Sequence, residues 1–119
     1  MRSLIPTETQ SIIAFMEWAR FMQLPFIHIV NEGKRSFYNG RILKLMGMRK
    51  GVSDLFLPVP HETFHGLWIE VKRLDKTIKS VSPEQWEWIE LMRKNGYIAE
   101  VAFGSDQCIA ITKKYLDIS

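Results

Sequence analysis

The side chains with the clearest chemical potential are Asp54 and the run Glu70-Val71-Lys72, with 15 residues between Asp54 and Glu70. Residues two apart on a strand point to the same side, so Glu70 and Lys72 are predicted to share one face. With Asp54 on the neighbouring strand, two carboxylates would form a site for a hard cation such as Mg²⁺, which also keeps water and substrate phosphate. The lysine would orient that water or offset negative charge in the transition state. A salt bridge across a half-buried sheet is the alternative that these residues alone leave open.

The segments around these residues follow the pattern of an α/β domain. Short β-rich or alternating runs predict strands from Phe26 to Val30, Asp54 to Val59, Leu67 to Arg73 and Tyr97 to Phe103. Periodicity and capping residues predict helices from about Glu8 to Met22, from Ser82 to Lys94 and from a cap at Ser105 and Asp106 to near Leu116, with a helical turn from Arg41 to Leu45. The resulting order, αβ–loop–ββαβα, predicts a mixed sheet with helices on its faces.

Two polar residues of these helices are predicted to face the sheet. Glu8 falls on the apolar side of the first helix, where an unpaired carboxylate would be costly and a metal or basic partner would relieve that cost. Ser82, Pro83 and Gln85 form the signature of a capping box at the start of a later helix. Gln85 shares a helix face with Trp88 and therefore points toward the sheet, although capping alone would account for its identity.

A competing motif is His61-Glu62-Thr63-Phe64-His65, which has the H-E-x-x-H spacing of zinc metalloproteases. Two histidines four apart bind one zinc ion when a helix presents them on one side. Pro58 and Pro60 precede the motif, and Gly66 and a predicted strand follow it, so there is little room for such a helix. We therefore interpret the segment as the connection between two strands of a hairpin.

Composition restricts the class of protein. The 119 residues suit one domain, 1–119, and their 46% hydrophobic and 24% charged content is typical of a globular chain. No run approaches the roughly 20 apolar residues needed to span a bilayer. The single cysteine, Cys108, cannot form an internal disulfide. We expect a soluble cytoplasmic domain that binds neither a membrane nor a small-molecule cofactor.

Positive charge is concentrated in one part of the chain. The segment from Lys34 to Lys50 contains no acidic residue, and its six basic residues are Lys34, Arg35, Arg41, Lys44, Arg49 and Lys50. A cationic, glycine-containing stretch of this kind is suited to contact with phosphates, and we predict that it binds DNA. A solvated loop with a chance bias in charge is the alternative.

Several motifs in the same order resemble the VRR-NUC (virus-type replication-repair nuclease) family of the PD-(D/E)xK nuclease superfamily. They are Asn31-Glu32-Gly33-Lys34-Arg35-Ser36, Leu43-Lys44 to Gly47, Gly51-Val52-Ser53-Asp54-Leu55-Phe56-Leu57, Leu67-Trp68-Ile69-Glu70-Val71-Lys72-Arg73, Ser82-x-x-Gln85-x-x-Trp88, Leu91 and Gly96-Tyr97. The resemblance covers nearly all of the chain. Ser53 stands where the family usually has a proline, which shapes the turn before the aspartate and binds no metal.

The resemblance implies a restriction-endonuclease-like core, a mixed central sheet flanked by helices, and a role for each matching residue. Asp54, Glu70 and the carbonyl of Val71 would be metal ligands, Lys72 the catalytic lysine, Gln85 a partner near the site, and Glu8 an acidic residue that completes or supports the metal shell. The implied activity is a Mg²⁺- or Mn²⁺-dependent DNA endonuclease. Lys72 and Gln85 would position the attacking water.

Stand-alone members of the family are similar to Holliday junction resolvases, which implies a preference for branched DNA and a homodimer. The family also suggests phage or prophage origin, and hence the cytoplasm of a bacterial host. No segment resembles a base-reading module, so we expect recognition of DNA shape. The remaining alternatives are a DNA-binding module with a decayed nuclease site and the zinc protease considered above.

Overall fold

A computed structural model describes residues 4–30 and 40–119 of the chain. The helices are α1 (Glu8–Phe21), α2 (Gly40–Leu45), α3 (Pro83–Lys94) and α4 (Ser105–Leu116), with a 3₁₀ turn at Ile78–Ser80. The strands are β1 (Ile27–His28), β2 (Leu55–Leu57), β3 (Leu67–Lys72) and β4 (Ile98–Phe103). Among these described residues, no helix has the length and apolar content needed to cross a membrane.

The four strands form one mixed sheet in the order β1-β2-β3-β4. β2 is antiparallel to both β1 and β3, whereas β4 is parallel to β3 because α3 provides the crossover between them. In this register Leu55 lies opposite Ile69. The mixed sheet flanked by helices that the sequence predicts is therefore confirmed.

Both faces of the sheet are covered, which is why every residue of β3 is buried. On one face, Leu67, Ile69 and Val71 pack with residues of α1 and α4, including Phe15 and Cys108. On the other face, Trp68 packs with Ile89 of α3 and with the neighbouring aromatic side chains Phe56, Trp86, Trp88 and Tyr97. The alternation predicted for this strand thus places Glu70 and Lys72 on the face that α3 covers.

The strands β1 and β2 are shorter than predicted. β1 is limited to two residues, although the Ile29 amide still donates to the Asp54 carbonyl at 2.7 Å. β2 ends at Leu57 because the following proline has no N–H to donate to the ladder.

The prediction that Ser105 and Asp106 cap α4 was wrong, since the N-cap is Gly104 and both residues lie in the first turn. The left-handed φ of 87° at Gly104 favours glycine.

Candidate active site

Two carboxylates meet where the β2–β3 ladder ends. Asp54 directly precedes β2, and the pairing of Leu55 with Ile69 brings it beside Glu70, whose side chain is 3% exposed. The backbone amide of Val71 donates to Oδ2 of Asp54 at 2.7 Å, which fixes the direction of that carboxylate. The pairing of β2 with β3 therefore places both carboxylates side by side at the end of the ladder.

The pKa values of both carboxyl groups are raised. Burial, followed by the charge of Asp54 and a hydrogen bond between the two carboxyl groups, raises the pKa of Glu70 to about 9. Burial also raises the pKa of Asp54, against the lowering effect of the Val71 hydrogen bond. At neutral pH the pair therefore retains one proton when no metal is bound. A bound cation would replace this proton and neutralise the negative charge of both carboxylates.

The donor atoms at this point fit a hard divalent cation. In a strand, the N–H and C=O of one residue point to the same side, so the carbonyl of Val71 faces Asp54 as its amide does, past the last rung of the β2–β3 ladder. Within residues 4–30 and 40–119, no group of three or more His, Cys, Asp or Glu side chains has the arrangement of a metal site. The set is thus two carboxylates and one carbonyl, which suits Mg²⁺ or Mn²⁺ and lacks the nitrogen and sulfur donors that zinc prefers.

Lys72 and Gln85 complete a hydrogen-bonded group with Glu70. Lys72 is 7% exposed, and its ammonium lies 3.8 Å from Glu70 Oε2 and donates to Gln85 Oε1 at 2.9 Å. Gln85 in turn donates from Nε2 to Glu70 Oε2 at 3.1 Å. The side-chain amide of Gln85 therefore bridges the Lys72 ammonium and the Glu70 carboxylate, and holds the lysine beside the carboxylate pair.

The start of α3 determines where Gln85 lies. The Ser82 hydroxyl accepts from the backbone amide of Gln85 at 3.1 Å, and Gln85 Oε1 accepts from the backbone amide of Ser82 at 2.9 Å. These two bonds form the predicted capping box. The same oxygen receives the Lys72 ammonium, so capping and contact with the site are two uses of one side chain. The sequence left these as alternatives, and the structure contains both.

A cleft of about 1000 Å³ opens over these residues. Of the six basic residues predicted to bind DNA, Lys44, Arg49 and Lys50 line it. Arg41 is exposed on α2 outside the lining, whereas Lys34 and Arg35 lie outside the described residues. The Arg49 guanidinium lies 5.4 Å from the ring centre of Trp88 and 3.6 Å from Glu87.

Glu8 differs from its prediction in one respect. It lies in the first turn of α1 and lines the cleft, but its side chain is exposed, so burial of this carboxylate was wrong. The first turn precedes the packed part of the helix, where Phe15 and Ala19 are buried. Glu8 raises the pKa of Glu70 through its charge, although it does not join Asp54 and Glu70 in a three-carboxylate cluster.

Comparison with known proteins agrees with this geometry. The family model of the VRR-NUC domain matches residues 4–106 of the chain. The chain belongs to the VRR-NUC family. A solved structure described as a VRR_NUC domain protein matches it with a TM-score of 0.77 and 28% identity, over 97% of this chain and 92% of that chain. A search of curated proteins gave no match. The VRR-NUC assignment and the sheet together identify a nuclease-type, restriction-endonuclease-like α/β fold.

The H-E-x-x-H segment of this VRR-NUC domain has no helix. His61 and Phe64 form an isolated antiparallel bridge, and Glu62 has a left-handed φ of 53°, so the segment is a tight turn between β2 and β3. The His61 ring lies near Tyr115 and the His65 ring near Tyr97. The connection between strands is confirmed, and the geometry of a zinc protease is absent from these residues.

The residue before Asp54 gives a test of stability. Ser53, at the position where VRR-NUC proteins usually have proline, is 1% exposed, and its hydroxyl has no hydrogen-bond partner among the described residues. Because a buried, unpaired hydroxyl costs about 1–3 kcal/mol, Ser53→Ala is expected to raise the free energy of unfolding by about 1 kcal/mol in urea titration. Thr112→Val is the matched control, because the buried Thr112 hydroxyl donates to the Cys108 carbonyl at 2.8 Å, and this variant should be less stable. A loss of stability in Ser53→Ala would contradict the expectation.

The carboxylate pair predicts how stability depends on pH in EDTA. Glu70 has a folded-state pKa of about 9 against an ordinary value of 4.5, so between these values the folded protein holds a proton that the unfolded chain releases. The contribution of Glu70 to the free energy of unfolding should therefore be largest below about pH 4.5 and fall by roughly 1 kcal/mol per pH unit as the pH rises toward about 9. Urea titrations of the wild type and Glu70→Gln from about pH 6 to about pH 8.5 measure this, since glutamine cannot titrate. Equal slopes for the two proteins would contradict the shared proton.

One residue of the cleft, His28, is not among the site residues predicted from the sequence. It is the last residue of β1, its side chain is exposed, and it lines the cleft with Asp54 and Glu70. Its Nδ1 lies 3.0 Å from the Asp54 carbonyl oxygen. No spacing motif in the sequence links residues 28 and 54, because the contact depends on the pairing of β1 with β2.

Proposed function

We propose that this VRR-NUC domain is a Mg²⁺- or Mn²⁺-dependent endonuclease that hydrolyses phosphodiester bonds in DNA, with branched DNA preferred. The observation that carries the proposal is the pair formed by the half-buried Asp54 and the buried Glu70, joined to Lys72 through Gln85, beside a cleft lined by basic side chains. A salt bridge with only a structural role would not need the second carboxylate or an opening to solvent.

Each residue of the site has a defined role in this proposal. Asp54, Glu70 and the Val71 carbonyl would hold the cation, with Glu8 supporting its shell from across the cleft. When bound, the cation polarises a phosphoryl oxygen and acidifies a coordinated water. Lys72, kept in place by Gln85, donates a hydrogen bond to the attacking water or to the phosphoryl oxygen as negative charge increases there.

The cleft supports DNA as the substrate. Lys44, Arg49 and Lys50 bring three positive charges to its lining, close to the Asp54–Glu70 pair. Phosphate contacts of this kind position a nucleic acid without reading its sequence. No recognition helix or zinc site occurs among residues 4–30 and 40–119, which favours recognition of DNA shape.

A homodimer is part of the proposal. Each chain contributes one Asp54–Glu70 site, and coordinated cutting of two strands at a junction needs two sites, which a C2 pair supplies. Sedimentation at micromolar concentration should show a dimer, and a monomer would count against resolvase-like cutting.

The free, buried Cys108 is compatible with the reducing cytoplasm of a bacterial host that the family resemblance implies.

The first test compares cleavage of a labelled four-way junction with cleavage of a linear duplex that has the same arm sequence. Each substrate is incubated with Mg²⁺, with Mn²⁺ and with EDTA, and Asp54→Asn serves as the control for contaminating nuclease. Metal-dependent cutting of the junction alone is the expected result. Equal cutting of both substrates would overturn the preference for branched DNA, and binding without cutting would support the decayed binding module.

Salt dependence tests the role of the basic side chains. If Lys44, Arg49 and Lys50 each contact one phosphate, duplex affinity in EDTA is expected to fall roughly 40-fold between about 50 and about 200 mM salt. Lys44→Ala should reduce the slope of log K against log salt by about 1, as measured by fluorescence anisotropy. Lys94→Ala, at the far end of α3, should leave the slope unchanged. An affinity independent of salt would show that these residues do not bind phosphates.

A further inference from the structure

His28 contacts the backbone of a residue in the carboxylate pair. It is the last residue of β1 and lies opposite Leu55, the first residue of β2, so its ring reaches the peptide that precedes this ladder. That peptide belongs to Asp54, and the ring Nδ1 lies 3.0 Å from its carbonyl oxygen. A carbonyl oxygen can only accept, so Nδ1 carries the proton and donates, which fixes the tautomer of the neutral ring.

Hydrogen bonds from neighbouring strands then hold Asp54 in place, in addition to the one that it shares with the Glu70 carboxyl group. The carbonyl oxygen also accepts from the Ile29 amide at 2.7 Å, so both of its lone pairs are used. The carboxylate accepts from the Val71 amide at 2.7 Å. The ring of His28 is the side-chain donor to the Asp54 carbonyl oxygen, whereas the Ile29 and Val71 donors are backbone amides.

The position of Asp54 explains why a side-chain donor is useful there. The ladder between β1 and β2 has only two pairs, Ile27 with Phe56 and His28 with Leu55, and Asp54 lies just outside it. A residue beyond the end of a ladder receives less restraint from neighbouring strands than one inside it. The imidazole therefore extends the restraint by one residue, to the peptide that sets the direction of the Asp54 side chain.

We propose that His28 is a positioning residue for Asp54, which acts by donating from Nδ1 to the Asp54 carbonyl oxygen. The inference rests on the proposed nuclease function, because the consequence of a misplaced Asp54 is slower hydrolysis. A direct contact from Nε2 to the DNA is the competing explanation, since the ring also borders the cleft.

Three substitutions separate these explanations. His28→Ala removes both ring nitrogens, His28→Asn keeps an N–H donor at the position of Nδ1, and His28→Gln carries its donor further out, near the position of Nε2. We expect His28→Ala to lower kcat about 10-fold with little change in KM, because substrate contacts remain while the geometry of Asp54 is lost. His28→Asn should recover most of kcat, and His28→Gln should not.

Amide hydrogen exchange gives a second measurement that does not depend on cleavage. The Ile29 amide bonds to the same Asp54 carbonyl, so its exchange reports whether this peptide is held. We expect faster exchange at Ile29 in His28→Ala and recovery in His28→Asn, at equal global stability by urea titration.

The outcomes are distinct from those for the proposed function. A wild-type protein that cuts no DNA would overturn the nuclease proposal, and Ile29 exchange would still test the contact with Asp54. Full kcat in His28→Ala, or unchanged Ile29 exchange, would overturn the positioning role while leaving the nuclease intact. Recovery by His28→Gln but not by His28→Asn would also overturn it, in favour of a direct contact with the substrate.

Discussion

Lys72→Met is expected to lower the rate of DNA cleavage about a thousand-fold while leaving the protein folded. Lys72 is 7% exposed and its ammonium lies 3.8 Å from Glu70, so it places one positive charge at the carboxylate pair. A preorganised donor of this kind contributes about 10²–10³ in rate, and a group that also assists proton transfer contributes somewhat more. Methionine keeps the length and apolar stem of the side chain, so the change removes the charge with little change in packing. Single-turnover cleavage of the preferred substrate, with Mg²⁺ in excess, measures the effect.

Lys94→Met is the control for this experiment. Lys94 is exposed in the last turn of α3, at the opposite end of the helix from Gln85, and its replacement should leave cleavage within about two-fold of the wild type. Binding of DNA in EDTA should be nearly unchanged in Lys72→Met, because phosphate contacts come from the walls of the cleft. Cleavage by Lys72→Met at the wild-type rate would contradict the role of this lysine in hydrolysis. A large loss of binding would instead place Lys72 among the DNA contacts.

The sequence predicted the elements around the site because their signals are local. The alternation of β3, the capping box of α3 and the prolines that bound the hairpin each depend on neighbouring residues, and all of them are present in the structure. The grouping of Asp54, Glu70 and Lys72 could also be predicted, since two strands joined by a hairpin must pair. This much follows from period, turn chemistry and chain order.

The parts of the site that depend on contacts between distant elements could not be predicted in the same way. His28 reaches Asp54 through the pairing of β1 with β2, which no short motif encodes. The exposure of Glu8 depends on where α1 begins relative to the sheet, and helical periodicity gives the face of a residue but not its depth. Gln85 shows a third limit, because capping and contact with the site predict the same residue type at the same position.

Gly51, which directly follows the basic segment, lies against the first turn of α3. A Cβ atom at Gly51 would clash with the carbonyl carbon and oxygen of Glu84 and would lie 2.8 Å from the amide nitrogen of Gln85. The residue also has a left-handed φ of 86°. The chain that leads to Asp54 is thus packed directly against the first turn of α3, which holds Gln85.

Gly51→Ala is therefore expected to affect both stability and cleavage. The left-handed conformation costs alanine about 1–2 kcal/mol, and the contact with backbone atoms, which cannot rotate away as a side chain does, adds a similar amount. We expect a loss of about 3 kcal/mol in the free energy of unfolding, measured by urea titration. Movement of the α3 start would carry Gln85 away from Lys72 and Glu70, so we also expect single-turnover cleavage to fall at least about 10-fold at a temperature where the variant is folded.

Gly47→Ala separates backbone strain from the contact with α3. Gly47 lies within the basic segment and has a left-handed φ of 99°, but a Cβ atom there would have nothing within 4 Å in the part of the chain that the structure describes. This variant should therefore lose about 1–2 kcal/mol from strain and retain its cleavage rate. If Gly51→Ala and Gly47→Ala behaved alike in both measurements, the contact between Gly51 and α3 would have no part in positioning the site. A selective loss of cleavage in Gly51→Ala would show that the segment carrying Lys44, Arg49 and Lys50 also sets the position of Gln85. The surface predicted to bind DNA and the group predicted to cut it would then be coupled through the contact of Gly51 with α3.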